Sequence, residues 1–109
     1  MTRGTLNRLY DGYLFSCEGH AGYAARGRDI VCAAVSALCL SLLRRLEEMS
    51  LAGIVRRTQC DIADGALTLV AETEDGDKLS ELRLRDTFDT VLAGLQALEE
   101  KYGQYVEVD

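Results

Sequence analysis

Residues 19–50, GHAGYAARGRDIVCAAVSALCLSLLRRLEEMS, decide how this chain folds. The first ten residues of the stretch hold Gly19, Gly22 and Gly27 and read as a loop. Asp29 then suits an N-cap, because its carboxylate can accept from backbone N–H groups that a helix leaves unpaired at its start. Ile30, Val31 and Cys32 take the first three helical positions. Val31, Val35, Leu38, Leu42, Leu46 and Met49 recur at the three-and-four spacing of a buried face, which predicts a helix to about Ser50. Arg44, Arg45, Glu47 and Glu48 mark its more solvated end, and Gly53 lies just beyond.

On the N-terminal side, residues 3–10 and Tyr13–Glu18 read as two strands around Asp11-Gly12, a hairpin signal. Ile54–Ile62 and Ala66–Thr73 read as a second pair around Asp64-Gly65. Residues 74–78, EDGDK, form a polar loop. A second helix shows clear periodicity from about Asp86 to Tyr102, with Phe88, Val91, Leu92, Leu95, Leu98 and Tyr102 as its apolar stripe. Gly103 suits its stop, and Tyr105–Val108 is a short last strand. The order is β-β-α-β-β-α-β. Hairpins alternating with helices predict an α+β fold, a two-layer sandwich of two helices on a mostly antiparallel sheet.

The length of 109 residues is that of one domain, and 48% hydrophobic content allows a real but modest core. A cleft would consume part of that core, so burial of helix surface in a homodimer is expected. No apolar run reaches the length that spans a bilayer, so no membrane role is expected. The opening MTRGTLNRLYDG lacks the apolar segment of a secretory signal, and the expected location is cytoplasmic. Residues 1–60 carry eight arginines and five acids, a balance of +3. Residues 61–109 carry four bases and thirteen acids, a balance of −9, for a net charge of −6. That distribution argues against direct nucleic-acid binding. It suits either a basic partner or simple solubility.

The chemistry-bearing residues cluster in the opening stretch. His20 is the only histidine, and Cys32 falls in the first helical turn, where the backbone favours a thiolate. Together they are the parts of a Cys–His nucleophilic site, with backbone N–H groups at the helix start available to an oxyanion. Ser36 lies one turn after Cys32 on the same face. Plainer readings stand beside these. A first-turn cysteine can be core, a single histidine can be a loop residue, and Asp29 is explained as a cap whose charge opposes a nearby thiolate. Cys17, Cys39 and Cys60 read as ordinary buried thiols. Their spacing contains no zinc pattern, so neither a metal nor another cofactor is expected.

The strings GHA at 19–21, Gly27, and DIVCAAVS at 29–36 closely resemble the signature of the ribosomal-processing cysteine proteases, the Prp (YsxB-like) family. The likeness extends to the flanking hairpins and to the ending GLQALEEKYGQYVEVD, so it covers residues 1–109 as one domain. The first strand is more polar and differently spaced than is usual there. The resemblance implies a homodimeric bacterial cysteine endopeptidase that removes a short N-terminal extension from the large-subunit ribosomal protein numbered twenty-seven, cutting after an aromatic residue. It implies His20 as general base and Cys32 as nucleophile, with Gly19, Gly27, Asp29 and Ser36 at the other motif positions.

Gly22, Tyr23, Ala24 and Ala25 are candidate loop contacts for the peptide. Three glycines in ten residues predict a loop over 19–28 that orders when a peptide binds. Two competing functions remain at this point. A non-catalytic ribosome-associated binding module fits the small size and the lack of an acid to orient His20. A thiol redox sensor would need a resolving cysteine near Cys32, and Cys39 lies about 10 Å along the helix.

Overall fold

The structure, a computed structural model, describes residues 1–109 apart from the side chain of Arg57. Among the described residues, the elements follow the expected order. They are β1 (Thr2–Arg8), β2 (Gly12–Glu18), α1 (Ile30–Leu51), β3 (Arg57–Ala63), β4 (Ala66–Glu72), α2 (Lys78–Tyr102) and β5 (Val106–Val108). The five strands make a sheet in the order β3-β4-β2-β1-β5. All neighbours are antiparallel except β1 and β5, which run parallel with Thr2 opposite Val106. This is the small α+β fold that the hairpin–helix alternation predicts.

Strand alternation selects the core face. Tyr13, Phe15 and Cys17 of β2 are buried, and their partners on β4 are Ala71, Leu69 and Leu67. The helices cover this face with Val31, Val35, Leu42, Leu46 and Met49 of α1 and Leu84, Phe88, Val91 and Leu95 of α2. Phe15, Phe88, Leu42 and Leu95 are almost wholly excluded from solvent. Each such side chain contributes about 1.5–3 kcal/mol through burial. The Phe88 ring lies 5.4 Å from that of Tyr13, tying α2 to the middle of the sheet.

The boundaries depart from expectation in three places. β1 ends at Arg8, so the connection is Leu9–Asp11, Gly12 opens β2, and the Leu9 N–H donates to the Gly12 carbonyl at 2.8 Å. Ile54 and Val55 precede β3 instead of opening it. Their N–H groups both donate to the Met49 carbonyl, and Val55 is buried, so these apolar residues close the end of α1. α2 begins eight residues before Asp86, capped by Asp77, whose carboxylate accepts from the Ser80 N–H at 3.1 Å. The cysteine expectation holds for Cys17 and Cys39, which are buried. Cys60 is exposed, because β3 is an edge strand that the helices cover incompletely.

Candidate active site

β2 delivers the chain to the site. Gly19 follows it with φ of +94°, and its N–H donates to the Gly65 carbonyl at 2.8 Å. The His20 carbonyl accepts from the Met1 nitrogen at 2.7 Å, so the backbone here is held on both sides. The side chain of His20 remains exposed. Ala21 is buried and anchors the loop that leads to α1.

Asp29 caps α1 as expected and does more than cap it. One carboxylate oxygen accepts from the Cys32 N–H at 2.8 Å, and the other accepts from the Tyr23 N–H at 3.0 Å. The same side chain therefore starts the helix and fixes the loop before it. These donations, first from Cys32 and then from Tyr23, Ala24 and Val31, hold the Asp29 carboxyl below its usual range. They also change the expected oxyanion chemistry. The Cys32 N–H is engaged by a carboxylate, and in this conformation it is not free to receive an oxyanion.

A cleft of about 270 Å³ opens between α1 and the β3–β4 turn, with His20, Gly19, Cys32 and Ser36 among its lining residues. Leu40, Ile62 and Leu67 give it an apolar flank, and Leu40 and Ile62 are both largely exposed. A second space of about 640 Å³ shares His20, Cys32, Ser36 and Asp64 with the first. The loop residues Gly22, Ala24 and Gly27 and the cap Asp29 line it too. His20, Cys32 and Ser36 thus face common solvent space. Among the described residues, no hydrogen bond joins His20 to Cys32.

Two loop residues lie elsewhere. Tyr23 packs edge-on against Tyr102 and Tyr105, with ring centroids 5.8 and 5.3 Å away, and lines neither space. Ala25 is absent from both linings, and its carbonyl accepts from the Arg28 N–H in a tight turn. Tyr23 fastens the loop to the end of α2.

Cys17 and Cys39 also line the first cleft, on the core side of Cys32. The two thiols contact each other. That contact first, and burial second, push the Cys39 thiol well above the ordinary thiol range. A thiol held protonated is a poor nucleophile. Cys32 is half-buried, lines both spaces and stands at the helix start, which sets it apart from the other three cysteines.

Asp64 and Gly65, which the sequence marks as a turn, also belong to the cleft. Both line the first cleft. Asp64 lies 4.0 Å from Arg26 across the mouth of the second space, an exposed pair of little energetic weight. The Asp-Gly pair after a strand was the available signal. Its relation to His20 emerges only from the pairing of β2 with β4.

The family model for cysteine protease Prp matches residues 1–107. The fold is similar to that of the essential ribosomal processing protease Prp from S. aureus in complex with a covalently linked product peptide. The identity is 22% and the TM-score 0.72, covering 100% of this chain and 98% of that one. The S. aureus protease in complex with a substrate peptide gives 19% and 0.68 over the same shares. SMU.848 from Streptococcus mutans gives 26% identity and a TM-score of 0.65, covering 100% of this chain and 92% of that one. No curated protein matches the chain. A family match over all but the last two residues, on a fold shared with solved members, leads to one conclusion: this chain belongs to the cysteine protease Prp family.

Proposed function

We propose that this protein is a cysteine endopeptidase that removes the N-terminal extension of a bacterial large-subunit ribosomal protein, the one numbered twenty-seven. The observation that carries the reading is the presence of His20, Cys32 and Ser36 on the walls of one cleft in a chain of the Prp family. The S. aureus protease, with its substrate and product peptides, supports a peptide as the ligand of that cleft.

In this reading Cys32 is the nucleophile and His20 the general base. His20 takes the Cys32 proton, and the thiolate attacks the scissile carbonyl carbon. Collapse of the tetrahedral species breaks the C–N bond, and His20 returns the proton to the leaving amine. Water then hydrolyses the thioester with His20 as base, freeing the new carboxylate and the thiol. The resting structure has no His20–Cys32 hydrogen bond, and such contacts commonly tighten only in the substrate complex. Gly22, Ala24 and Gly27 line the second space, where a peptide would lie against the loop that Asp29 and Tyr23 hold in place. The apolar flank formed by Leu40, Ile62 and Leu67 suits the aromatic residue that the family resemblance implies before the cut.

The protein acts as a homodimer in the bacterial cytoplasm. Exposed Leu51, Leu79 and Leu82 on the helices support a second copy as their cover. Among the described residues, no helix is long and apolar enough to cross a membrane. Mass spectrometry of a peptide spanning the extension and mature start of that ribosomal protein tests the function. Wild type is expected to release the extension, and Cys60→Ala to do so at the same rate. Binding of the peptide without cleavage would favour the binding-module reading instead.

A further inference from the structure

The His20 ring stands directly on Gly65. The sheet brings this about: Glu18 pairs with Ala66, so the chain leaves β2 beside the β3–β4 turn. The Gly19 N–H then donates to the Gly65 carbonyl, which fixes the backbone one residue before the histidine. A Cβ built on Gly65 would lie 2.7 Å from His20 Nε2 and 3.1 Å from Cε1. Both separations are shorter than van der Waals contact, so the ring occupies space that any side chain at residue 65 would claim.

We propose that Gly65 is a positioning residue of the peptidase reaction: its bare Cα gives the His20 imidazole its place in the cleft that Cys32 lines. The proposal rests on the reading of His20 as general base. The backbone offers a rival explanation for this glycine, since Gly65 has φ of +73°, where any side chain is strained. Gly53 separates the two explanations. It has φ of +76°, yet nothing lies within 4 Å of a Cβ built there. Alanine strains the backbone at both positions and meets the imidazole at only one. The imidazole ends an exposed side chain and can swing aside. The clash therefore moves the base without unfolding the protein.

The test compares Gly65→Ala with Gly53→Ala, each alone and with His20→Ala, in the full chain. The readouts are melting temperature, kcat and KM on the extension peptide, and iodoacetamide modification at Cys32 followed by peptide mapping. Both glycine variants are expected to lose similar melting temperature. Gly65→Ala alone should lower kcat by roughly tenfold to a hundredfold, the scale set by a displacement near an ångström, while KM stays within about twofold. It should also change the Cys32 modification rate, whereas Gly53→Ala leaves both readouts at wild type. In the His20→Ala background, Gly65→Ala should cause no further loss of turnover. Wild-type kcat in Gly65→Ala, beside an inactive His20→Ala, would overturn the positioning role and leave the base assignment standing. Equal losses from Gly65→Ala with and without His20 would overturn it as well. Wild-type cleavage by His20→Ala would overturn both readings.

Discussion

Two Asp-Gly pairs lie at opposite ends of the β2–β4 ladder, where Gly12 faces Glu72 and Glu18 faces Ala66. At the first end Gly12 is strand, and a Cβ there would run into the Ala71 carbonyl oxygen. Asp11 is fully engaged. Its carboxylate takes an Arg56 N–H at 2.8 Å, and its carbonyl takes the Thr73 N–H at 2.8 Å. At the second end Asp64 is exposed, and Gly65 forms the turn over which the His20 ring lies. Glycine at one end lets two strands close against each other. At the other it clears room for the His20 ring. Identical local sequence thus serves closure in one place and clearance in the other, and the tertiary neighbour decides which.

Variants at the two ends, and at the cap of α1, separate closure from clearance. Cys32→Ala should have the largest effect on function, abolishing cleavage while the melting temperature stays near wild type. Cleavage at the wild-type rate in the mass-spectrometric assay would remove Cys32 from the mechanism and leave the second end without a reacting group. Gly12→Ala should show the inverse pattern. Forcing a Cβ against the Ala71 carbonyl is expected to cost about 1–3 kcal/mol in urea unfolding, with kcat of the folded fraction unchanged. Unaltered stability there would refute the close-approach account.

A smaller effect is expected from Asp29→Ala, with a defined pH dependence. The Asp29 carboxyl is held below its ordinary value of 3.8, so it binds protons less readily folded than unfolded. Its stabilisation is therefore present above pH 3.8 and is lost as pH falls through the lower folded value. Thermal melts of the two proteins should differ at pH 7 and converge in acid. A constant difference across that window would show that the carboxylate charge is not what stabilises the loop and helix start. Arg56→Ala should be the mildest change, since its pairs with Asp11 and Glu72 are partly exposed. A small loss of melting temperature that shrinks in 1 M salt is expected, with cleavage intact. A loss insensitive to salt would point to packing of the arginine stem instead.

The order of elements is legible in the sequence because apolar periodicity and turn residues are local signals. The start of α1 was clear for the same reason: Asp29 and the residues it caps are neighbours in the chain. The first two turns of α2 were obscure. Leu79 and Leu82 there are largely exposed, so the apolar residues do not mark the buried face, and Ser80 is buried instead. Ile54 and Val55 looked like strand because they are β-branched, whereas their N–H groups serve the Met49 carbonyl. His20, Cys32 and Ser36 were legible as a group through their motif. Tyr23 could not be placed from its neighbours, since its partners are Tyr102 and Tyr105. Gly65 beneath His20 was hidden in the same way, because strand pairing, and not chain proximity, brings the two together.

The tyrosine contact has a consequence in time. Tyr23 sits early in the chain, and its partners Tyr102 and Tyr105 come about eighty residues later. β1 likewise waits for β5, whose Val106 pairs with Thr2. At roughly 5–20 residues per second, synthesis separates the tyrosine partners by on the order of 4–16 seconds. During that interval Cys32 has already been made, while the loop carrying His20 lacks the aromatic wall that fastens it. The last strand and the last turn of α2 therefore set the moment at which the cleft can first be complete, and a chain interrupted before them carries His20 and Cys32 without the architecture that brings them onto one cleft.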